Sequence, residues 1–264
     1  MNDFAFHRPK SLADAVSAQK KATEGKYLGG GQSLLPVMKL GLAAPTDLVV
    51  LSGLAELKGI RLDGKELVVG AGSTHAEVAA SAEVKKAIPA LASLAGHIGD
   101  PQVRNRGTLG GSLAHDDPAA DYPAAVLALG ATVATDRRKI PADAFFKGLY
   151  ETALAPDEVI ASVRFPLPEK AAYAKFPHPA SRFALVGVFV ARGPAGVRVA
   201  VTGAGPFVFR ATEMEKALAS RFAPDAIASV SVPSAGLTGD AFGSAEYRAH
   251  LIGVMARRAV ASCD

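Results

Sequence analysis

The stretch that organises this 264-residue chain is Tyr27-Leu-Gly-Gly-Gly-Gln-Ser-Leu-Leu-Pro36. Its three consecutive glycines stand between a short apolar start and an apolar run that reads as a helix. Glycine reaches backbone angles closed to other residues and lets another group approach the main chain closely. A chain that turns on glycines into a helix points several free N–H groups in one direction, and these groups favour negative charge. The stretch therefore predicts an anion site.

A second stretch of similar character is Arg104-Asn-Arg-Gly-Thr-Leu-Gly-Gly-Ser112. Its paired glycines allow close backbone approach, and the Thr108 hydroxyl can donate to a phosphate oxygen. An ordinary turn at a strand entry is the alternative for one such loop alone. Two such loops in one chain favour a shared role, so we expect them to hold one pyrophosphate-containing cofactor.

An acidic segment, His115-Asp-Asp-Pro-Ala-Ala-Asp121, follows the second loop directly. Carboxylates repel phosphate, but they accept hydrogen bonds from ribose hydroxyls or from a ring N–H. Asp117 and Asp121 are therefore candidates for the sugar or ring side of the cofactor. The alternative for Asp121 is a helix N-cap. A metal at His115, Asp116 and Asp117 is disfavoured, because their spacing matches no strong ligand pattern.

Composition excludes several classes of protein. The chain is 49% hydrophobic and 20% charged, which is ordinary for a globular protein with a full core. Cys263 is the only cysteine, so neither a disulfide framework nor an iron–sulfur cluster can form on this chain. The net charge of +4 comes without a dense Lys/Arg stripe, which argues against nucleic-acid binding. No apolar run is long enough for a membrane span, and the N-terminus lacks signal-peptide character, so we expect a cytoplasmic protein.

The order of local patterns indicates two regions. Ser11-Leu-Ala-Asp14 and Thr74-His-Ala-Glu77 resemble capping boxes that open helices. Asp63-Gly64 predicts a hairpin, and this context rules out a P-loop in Gly59-x4-Gly64-Lys65, where Glu66 replaces the required Ser or Thr. The composition changes near residue 170, so we expect an α/β region before that point and an α+β region after it.

Three further expectations concern particular segments. Residues 96–121 show no apolar periodicity and read as one long functional loop. β-Rich residues 183–191 and 197–202 predict a hairpin or a meander. The closing segment that begins at Ser244 predicts an amphipathic helix. Its inward residues are expected to be Tyr247, Leu251, Val254 and Met255.

The residues assemble no evident catalytic set. No Ser-His-Asp or Cys-His arrangement can be built from the sequence, and no GxGxxG of Rossmann type is present. Arg104 and Arg106 either neutralise phosphate or serve as surface charges. Cofactor loops without an acid, base or nucleophile fit a cofactor carrier or an electron conduit better than a self-sufficient enzyme.

These motifs together resemble those of a known family. Leu28 to Pro36, Arg104 to His115, Asp117-Pro-Ala-Ala-Asp121 and Ala180-Ser-Arg-Phe-Ala184 resemble the FAD-binding medium subunit of molybdenum hydroxylases. This is the family of carbon monoxide dehydrogenase and xanthine dehydrogenase. The resemblance covers nearly the whole chain, with the motifs in the expected order.

The resemblance implies an α+β fold with two domains. The first would be an FAD-binding domain of the vanillyl-alcohol-oxidase (PCMH) type over residues 1–170, with subdomains of about 1–55 and 56–170. The second would be a small α+β C-terminal domain over residues 171–264, of the carbon monoxide dehydrogenase flavoprotein type.

The resemblance also implies which residues bind FAD. Both glycine loops would embrace the pyrophosphate through backbone amides, Asp121 would be the family's acid, and Lys175 would lie near the flavin ring, where Phe183 could supply an aromatic neighbour. The full set of cofactor-binding candidates is Leu28, Gly29, Gly30, Gly31, Gln32, Ser33, Leu34, Thr108, Leu109, Gly110, Gly111, Ser112, Asp117, Asp121 and Lys175. No residue is assigned to catalysis or to a metal.

The function implied is electron relay. A molybdopterin large subunit would oxidise the substrate, and a 2Fe-2S iron–sulfur small subunit would pass electrons to FAD on this chain. An external acceptor such as NAD, quinone or oxygen would then take them, and the complex would be a dimer of heterotrimers. Two alternatives stay open, a free-standing FAD-dependent oxidase and a non-catalytic nucleotide-binding module. Against the oxidase, the part after residue 170 looks too small to supply a substrate pocket.

Overall fold

The computed structural model describes residues 2–263, in which helices and strands are mixed along the chain as the α+β expectation requires. A parallel three-stranded sheet comes first. Its strands are β1 (Ala5–His7), β2 (Gly25–Leu28) and β3 (Asp47–Val50), in the order β1-β3-β2. Helices α1 (Leu12–Lys21) and α2 (Leu34–Lys39) connect these strands. The triple glycine leaves the carboxyl end of β2, which is the edge where open parallel sheets bind ligands.

A second, antiparallel sheet lies in the middle of the chain. Its strands are β4 (Ile60–Asp63), β5 (Glu66–Gly70), β6 (Thr132–Thr135), β7 (Lys139–Pro141) and β10 (Ile160–Pro166), in the order β4-β5-β10-β6-β7. Helix α9 (Ala142–Phe145) and the hairpin of β8 (Phe146–Gly148) and β9 (Glu151–Thr152) lie between β7 and β10. The expected turn at Asp63-Gly64 joins β4 to β5, so the segment that resembles a P-loop lies in a hairpin.

Short helices fill the long connection between β5 and β6. They are α3 (His75–Ala80), α4 (Ala82–Ala87), α5 (Pro89–Gly96), α6 (Pro101–Arg104), α7 (Leu109–His115) and α8 (Tyr122–Ala128). The capping box opening α3 is complete, with Thr74 and Glu77 bonded reciprocally. The expectation of one irregular loop over residues 96–121 is wrong, because α6 and α7 lie within it. With 4 and 7 residues, neither helix exceeds about two turns, so neither repeats an apolar pattern in the sequence.

The third sheet is antiparallel and follows residue 170. Its strands are β11 (Lys170–Pro177), β12 (Ala184–Gly193), β13 (Gly196–Thr202) and β14 (Phe209–Arg210), in chain order. The expected hairpin joins β12 to β13. Helix α10 (Thr212–Ser220), a 3-10 turn (Pro224–Ile227) and helix α11 (Ala245–Ala261) complete this part. In α11, Leu251 and Met255 are buried as expected, whereas Tyr247 is 42% exposed and contacts Phe176 edge-on.

One apolar core connects the second and third sheets. It combines Leu94, Val126 and Phe165 with Phe189 and Ala200, which belong to β12 and β13. The proposed domain boundary near residue 170 therefore stays a prediction, since this core extends across it. Within residues 2–263, no helix has the length and apolar character needed to cross a membrane.

Candidate functional site

A cleft of about 1540 Å³ lies where the three parts of the chain meet. Drug-sized ligands occupy sites of roughly 300–1,000 Å³, so this cleft has room for a dinucleotide. The expected site residues that line it are Leu28, Gly29, Gly30, Gly31, Gln32, Ser33, Leu34, Thr108, Gly110, Gly111, Ser112, Asp117 and Asp121. Leu109 and Lys175 do not line it, for reasons given below.

The first glycine loop keeps its backbone donors free. The N–H groups of residues 30–33 donate to no acceptor among the residues that the structure describes. Gly31 has a φ of +76°, a left-handed conformation that favours glycine. The Leu35 N–H bonds to the Gly31 carbonyl, so α2 starts at once and its axis continues from the loop. Free donors at a helix start are an arrangement that favours anions, so the anion site predicted from the sequence stays a prediction that this geometry supports.

Contact between the two loops explains the glycine at position 30. A Cβ on Gly30 would lie 2.0 Å from the carbonyl oxygen of Arg106 and 2.7 Å from the Gly107 Cα. A Cβ on Gly29 would lie 3.1 Å from the Thr108 Oγ1. The missing side chain at position 30 thus lets the second loop pack directly against the first. The position that a Cβ would take faces the second loop.

The second loop uses most of its amides internally, contrary to the expectation that both loops offer them. The Gly110 N–H donates to the Ala71 carbonyl over 2.8 Å, and the Leu109 N–H donates to the Ser73 carbonyl over 3.0 Å. Leu109 is fully buried. These bonds fix the start of α7 to the residues after β5, a contact that sequence spacing cannot reveal.

Thr108 is the N-cap of α7 and the main group that this loop presents. Its Oγ1 accepts from the Gly111 N–H over 3.1 Å, which leaves the hydroxyl proton available to donate. Ser112, one residue further on, also lines the cleft. The second loop therefore contributes hydroxyl groups, and the first contributes amides.

Asp121 lines the cleft and is 3% exposed. It begins α8, but its side chain makes no cap bond. Instead, the Tyr173 hydroxyl donates to its Oδ1, and the Lys175 Nζ lies 2.9 Å from the same oxygen. Burial raises the pKa of Asp121, and the Lys175 charge and the Tyr173 hydrogen bond oppose that rise. Lys175 lies behind Asp121, which is why it does not reach the cleft.

Tyr150 is a cleft residue that sequence reasoning missed. Its ring is 5.1 Å from that of His115, centroid to centroid, and its hydroxyl is close enough to Asp117 for the two groups to interact electrostatically. Burial and the Asp117 charge raise the pKa of Tyr150. Asp117 also accepts from the Ala119 N–H over 2.8 Å, so its carboxylate is fixed at the cleft.

Three non-glycine residues of the described chain have a positive φ: Asp116 (φ +49°), Tyr150 (φ +56°) and Arg182 (φ +62°). Tyr150 and Arg182 line the cleft, and Asp116 is the chain neighbour of the cleft residue Asp117. Such backbone strain persists where the surrounding structure enforces it, and it clusters at binding sites. Arg182 and Phe183 are exposed and line the cleft, so the Ala180-Ser-Arg-Phe stretch does reach it.

Asp116 is separate from the cleft wall. Its carboxylate is 1% exposed, and neither oxygen has a hydrogen-bond partner. Burial, followed by the charge of Asp117, raises the pKa of Asp116 to about 7. Among residues 2–263, no three His, Cys, Asp or Glu side chains converge closely enough to hold a metal ion.

The two arginines of the second stretch have structural positions. The Arg104 Nη1 donates to the Ile98 and Gly99 carbonyls over 3.0 and 3.1 Å. Arg106 is exposed and contributes its carbonyl to the contact with Gly30. Neither arginine lines the cleft, so the phosphate-neutralising role considered for them is not supported.

Comparison with known proteins gives consistent matches. Residues 2–168 match the family described as FAD binding domain in molybdopterin dehydrogenase. The chain is 35% identical to the carbon monoxide dehydrogenase medium chain of Hydrogenophaga pseudoflava, over 97% of this chain and 96% of that one. It is 37% identical to the nicotine 6-hydroxylase medium subunit of Paenarthrobacter nicotinovorans, over 97% and 95%. The structure of reconstituted CO dehydrogenase from Oligotropha carboxidovorans superposes with a TM-score of 0.88, at 33% identity over 98% and 97% of the two chains.

Proposed function

Because this chain belongs to the FAD-binding subunits of the molybdenum hydroxylase family, we propose that it relays electrons within such a complex. The observation that carries the proposal is that the cleft is lined both by free backbone donors and by carboxylates. Free backbone donors of residues 30–33 and the carboxylates of Asp117 and Asp121 line the same cleft. A dinucleotide has its negative charge on the pyrophosphate and its hydrogen-bond donors on the sugar and the ring. Backbone donors therefore suit the pyrophosphate, and carboxylates suit the sugar or the ring.

The residues of the cleft fit FAD. We assign the pyrophosphate to the free amides of the first loop, supported by the Thr108 hydroxyl, and no acidic side chain lies within that loop. We assign Asp117 and Asp121 to donors of the ribityl chain or the flavin ring. Tyr150 and Phe183, both exposed and lining the cleft, offer aromatic surfaces to a planar ring system.

Bound FAD would supply the redox chemistry, accepting electrons from a 2Fe-2S cluster and giving them to an external acceptor. The cluster must belong to another chain, because Cys263 is the only cysteine here. We propose as partners an iron–sulfur small subunit and a molybdopterin large subunit, arranged as a dimer of heterotrimers in the cytoplasm. The names of the relatives support this, since they are medium chains or medium subunits.

The first experiment measures flavin in the full-length chain purified under native conditions. We expect a flavin absorbance spectrum, and acid release should give FAD at close to one equivalent per chain. A protein that neither retains FAD nor binds added FAD would contradict the proposal and favour a nucleotide-binding module of another kind.

A second experiment separates electron relay from a free-standing oxidase. The FAD-loaded chain alone should be reduced by dithionite and reoxidised by artificial acceptors, yet leave candidate organic substrates unchanged. Adding the two partner subunits should restore substrate-dependent reduction of the flavin. Turnover of an organic substrate by the isolated chain would sink the relay proposal.

A further inference from the structure

Asp121 lines the cleft, but its side-chain hydrogen-bond partners do not. Its carboxyl group accepts hydrogen bonds from the Tyr173 hydroxyl and the Lys175 Nζ, both on β11. The side chains of Asp121 and Lys175 are only 3% and 7% exposed. Neither Tyr173 nor Lys175 lines the cleft, whereas Asp121 does. The strand thus reaches the cleft only through Asp121.

The position of Lys175 is fixed by a second acceptor. Its Nζ donates to the His97 carbonyl over 3.2 Å as well as to the Asp121 Oδ2 over 3.0 Å. Two acceptors thus hold the Lys175 Nζ in one place, beside the Asp121 carboxyl group. The positive charge of Lys175 favours the ionised form of Asp121, to which the Tyr173 hydroxyl donates a further hydrogen bond.

The ionisation state of Asp121 decides what it can recognise. An ionised carboxylate only accepts hydrogen bonds, whereas a protonated one also donates. Its three contacts leave acceptor capacity on Oδ2, which carries one of them. A cofactor that presents a hydroxyl or a ring N–H at this point meets an acceptor as long as Asp121 stays ionised.

We propose that Lys175 and Tyr173 are positioning residues that act through Asp121, holding its carboxylate ionised and oriented so that the cleft selects cofactors with a donor at that point. The inference rests on the proposed function, since it takes FAD as the ligand. It replaces direct contact between Lys175 and the flavin with an indirect role. Lys175 is then required because its positive charge favours the ionised form of Asp121.

The other titratable groups around Asp121 do not substitute for Lys175. Tyr122, beside Asp121 on α8, is fully buried, and its hydroxyl has no hydrogen-bond partner. His97, at the end of α5, has its Nδ1 bonded to the Ser93 carbonyl and contributes a smaller favourable charge effect. Without Lys175, the burial of Asp121 is opposed chiefly by the Tyr173 hydroxyl, so its carboxyl would stay protonated to higher pH.

The test is an FAD titration of the apoprotein of the full chain, followed by quenching of flavin fluorescence between about pH 6 and about pH 9. Wild type should bind with little pH dependence. Lys175→Met should bind more weakly near neutral pH by about tenfold or more, the size of one hydrogen bond to a charged group. Its affinity should recover as the pH rises, because rising pH ionises Asp121 again. Lys85→Met, on the exposed face of α4, is the matched control and should resemble wild type.

A double-mutant cycle supplies the second readout. Asp121→Asn should weaken binding at every pH, and adding Lys175→Met to it should cause little further loss, because Lys175 acts through Asp121. Thermal melting will report whether Lys175→Met folds. If it folds poorly, Lys175→Arg replaces it in the test and should keep most of the wild-type affinity, because arginine keeps the positive charge. The inference is overturned if Lys175→Met binds independently of pH or if the two losses add. Failure of wild type to bind FAD would instead overturn the proposed function.

Discussion

Gly30 and the carbonyl oxygen of Arg106 are so close that a Cβ on residue 30 would lie 2.0 Å from that oxygen. The neighbour is backbone, which cannot rotate away as a flexible side chain can. Any side chain at position 30 must therefore push the two loops apart. The contact therefore fixes the first glycine loop, which lines the cleft, against the second.

The first prediction concerns that contact. Gly30→Val should separate the loops, cost about 1–3 kcal/mol of unfolding free energy and empty the protein of FAD. Flavin content and urea denaturation measure the two effects. Gly53→Val is the matched control, since a Cβ there meets nothing within 4 Å. Full flavin in the Gly30 variant would show that the loops hold FAD without touching each other.

The second prediction separates packing from binding at Gly110. A Cβ there would lie 2.6 Å from the Ala71 Cβ and 3.0 Å from the Ala71 carbonyl oxygen, so it would collide with the protein itself. Gly110→Ala should therefore lower the melting temperature of the apoprotein itself, and Ala71→Gly in the same chain should restore part of it. No rescue by the second substitution would mean that Gly110 is required for another reason, such as its amide bond to the Ala71 carbonyl.

The third prediction concerns Asp116 and pH. Its pKa is raised from 3.8 to about 7, so between these values the folded state binds a proton that the unfolded state has lost. Stability should thus fall as the pH rises from about 4 to about 7 and then level off.

Substituting Asp116 removes that slope. Asp116→Asn keeps the shape without an ionisable group, and asparagine tolerates the left-handed backbone found there. We expect a gain on the order of 2–4 kcal/mol at pH 8 and little gain at pH 4, from urea denaturation at both pH values. An equal difference at both pH values would show that Asp116 does not titrate in this range.

The fourth prediction concerns the strained backbone of Tyr150. Its ring is 54% exposed, so little burial is lost on substitution. Tyr150→Asn should raise the unfolding free energy of the apoprotein by about 0.5–1 kcal/mol, because asparagine occupies the left-handed region more easily. Affinity for FAD should fall at the same time. A less stable apoprotein would indicate that the contact between the Tyr150 and His115 rings outweighs the strain.

Local chemistry made part of the fold predictable. The Ser11 and Thr74 caps, the Asp63-Gly64 turn and the triple glycine each depend on a few adjacent residues, and each is found where expected. The hairpin after residue 183 follows for the same reason, since β-rich runs flank a turn. Apolar periodicity in the final helix correctly identified Leu251 and Met255 as buried, but it also predicted that Tyr247 points inward. Tyr247 instead makes an edge contact with Phe176 and stays partly exposed.

Features that depend on distant partners were not predictable. Nothing near Leu109 indicates that its N–H pairs with Ser73, and nothing near Lys175 indicates that Asp121 will lie between it and the cleft. The positive φ of Tyr150 is likewise imposed by its surroundings. Most of the expected site residues thus line one cleft, and their roles within it stay predictions.

The ion pair between Asp121 and Lys175 has a consequence for how this protein could have been assembled. The family match ends at residue 168, yet the lysine and tyrosine that complete the cleft's buried carboxylate come afterwards, on β11. Exchanging everything beyond residue 168 for another domain would remove both side chains that pair with the buried Asp121. A domain joined at that point would therefore have to bring its own lysine and tyrosine to these positions to keep the carboxyl group paired.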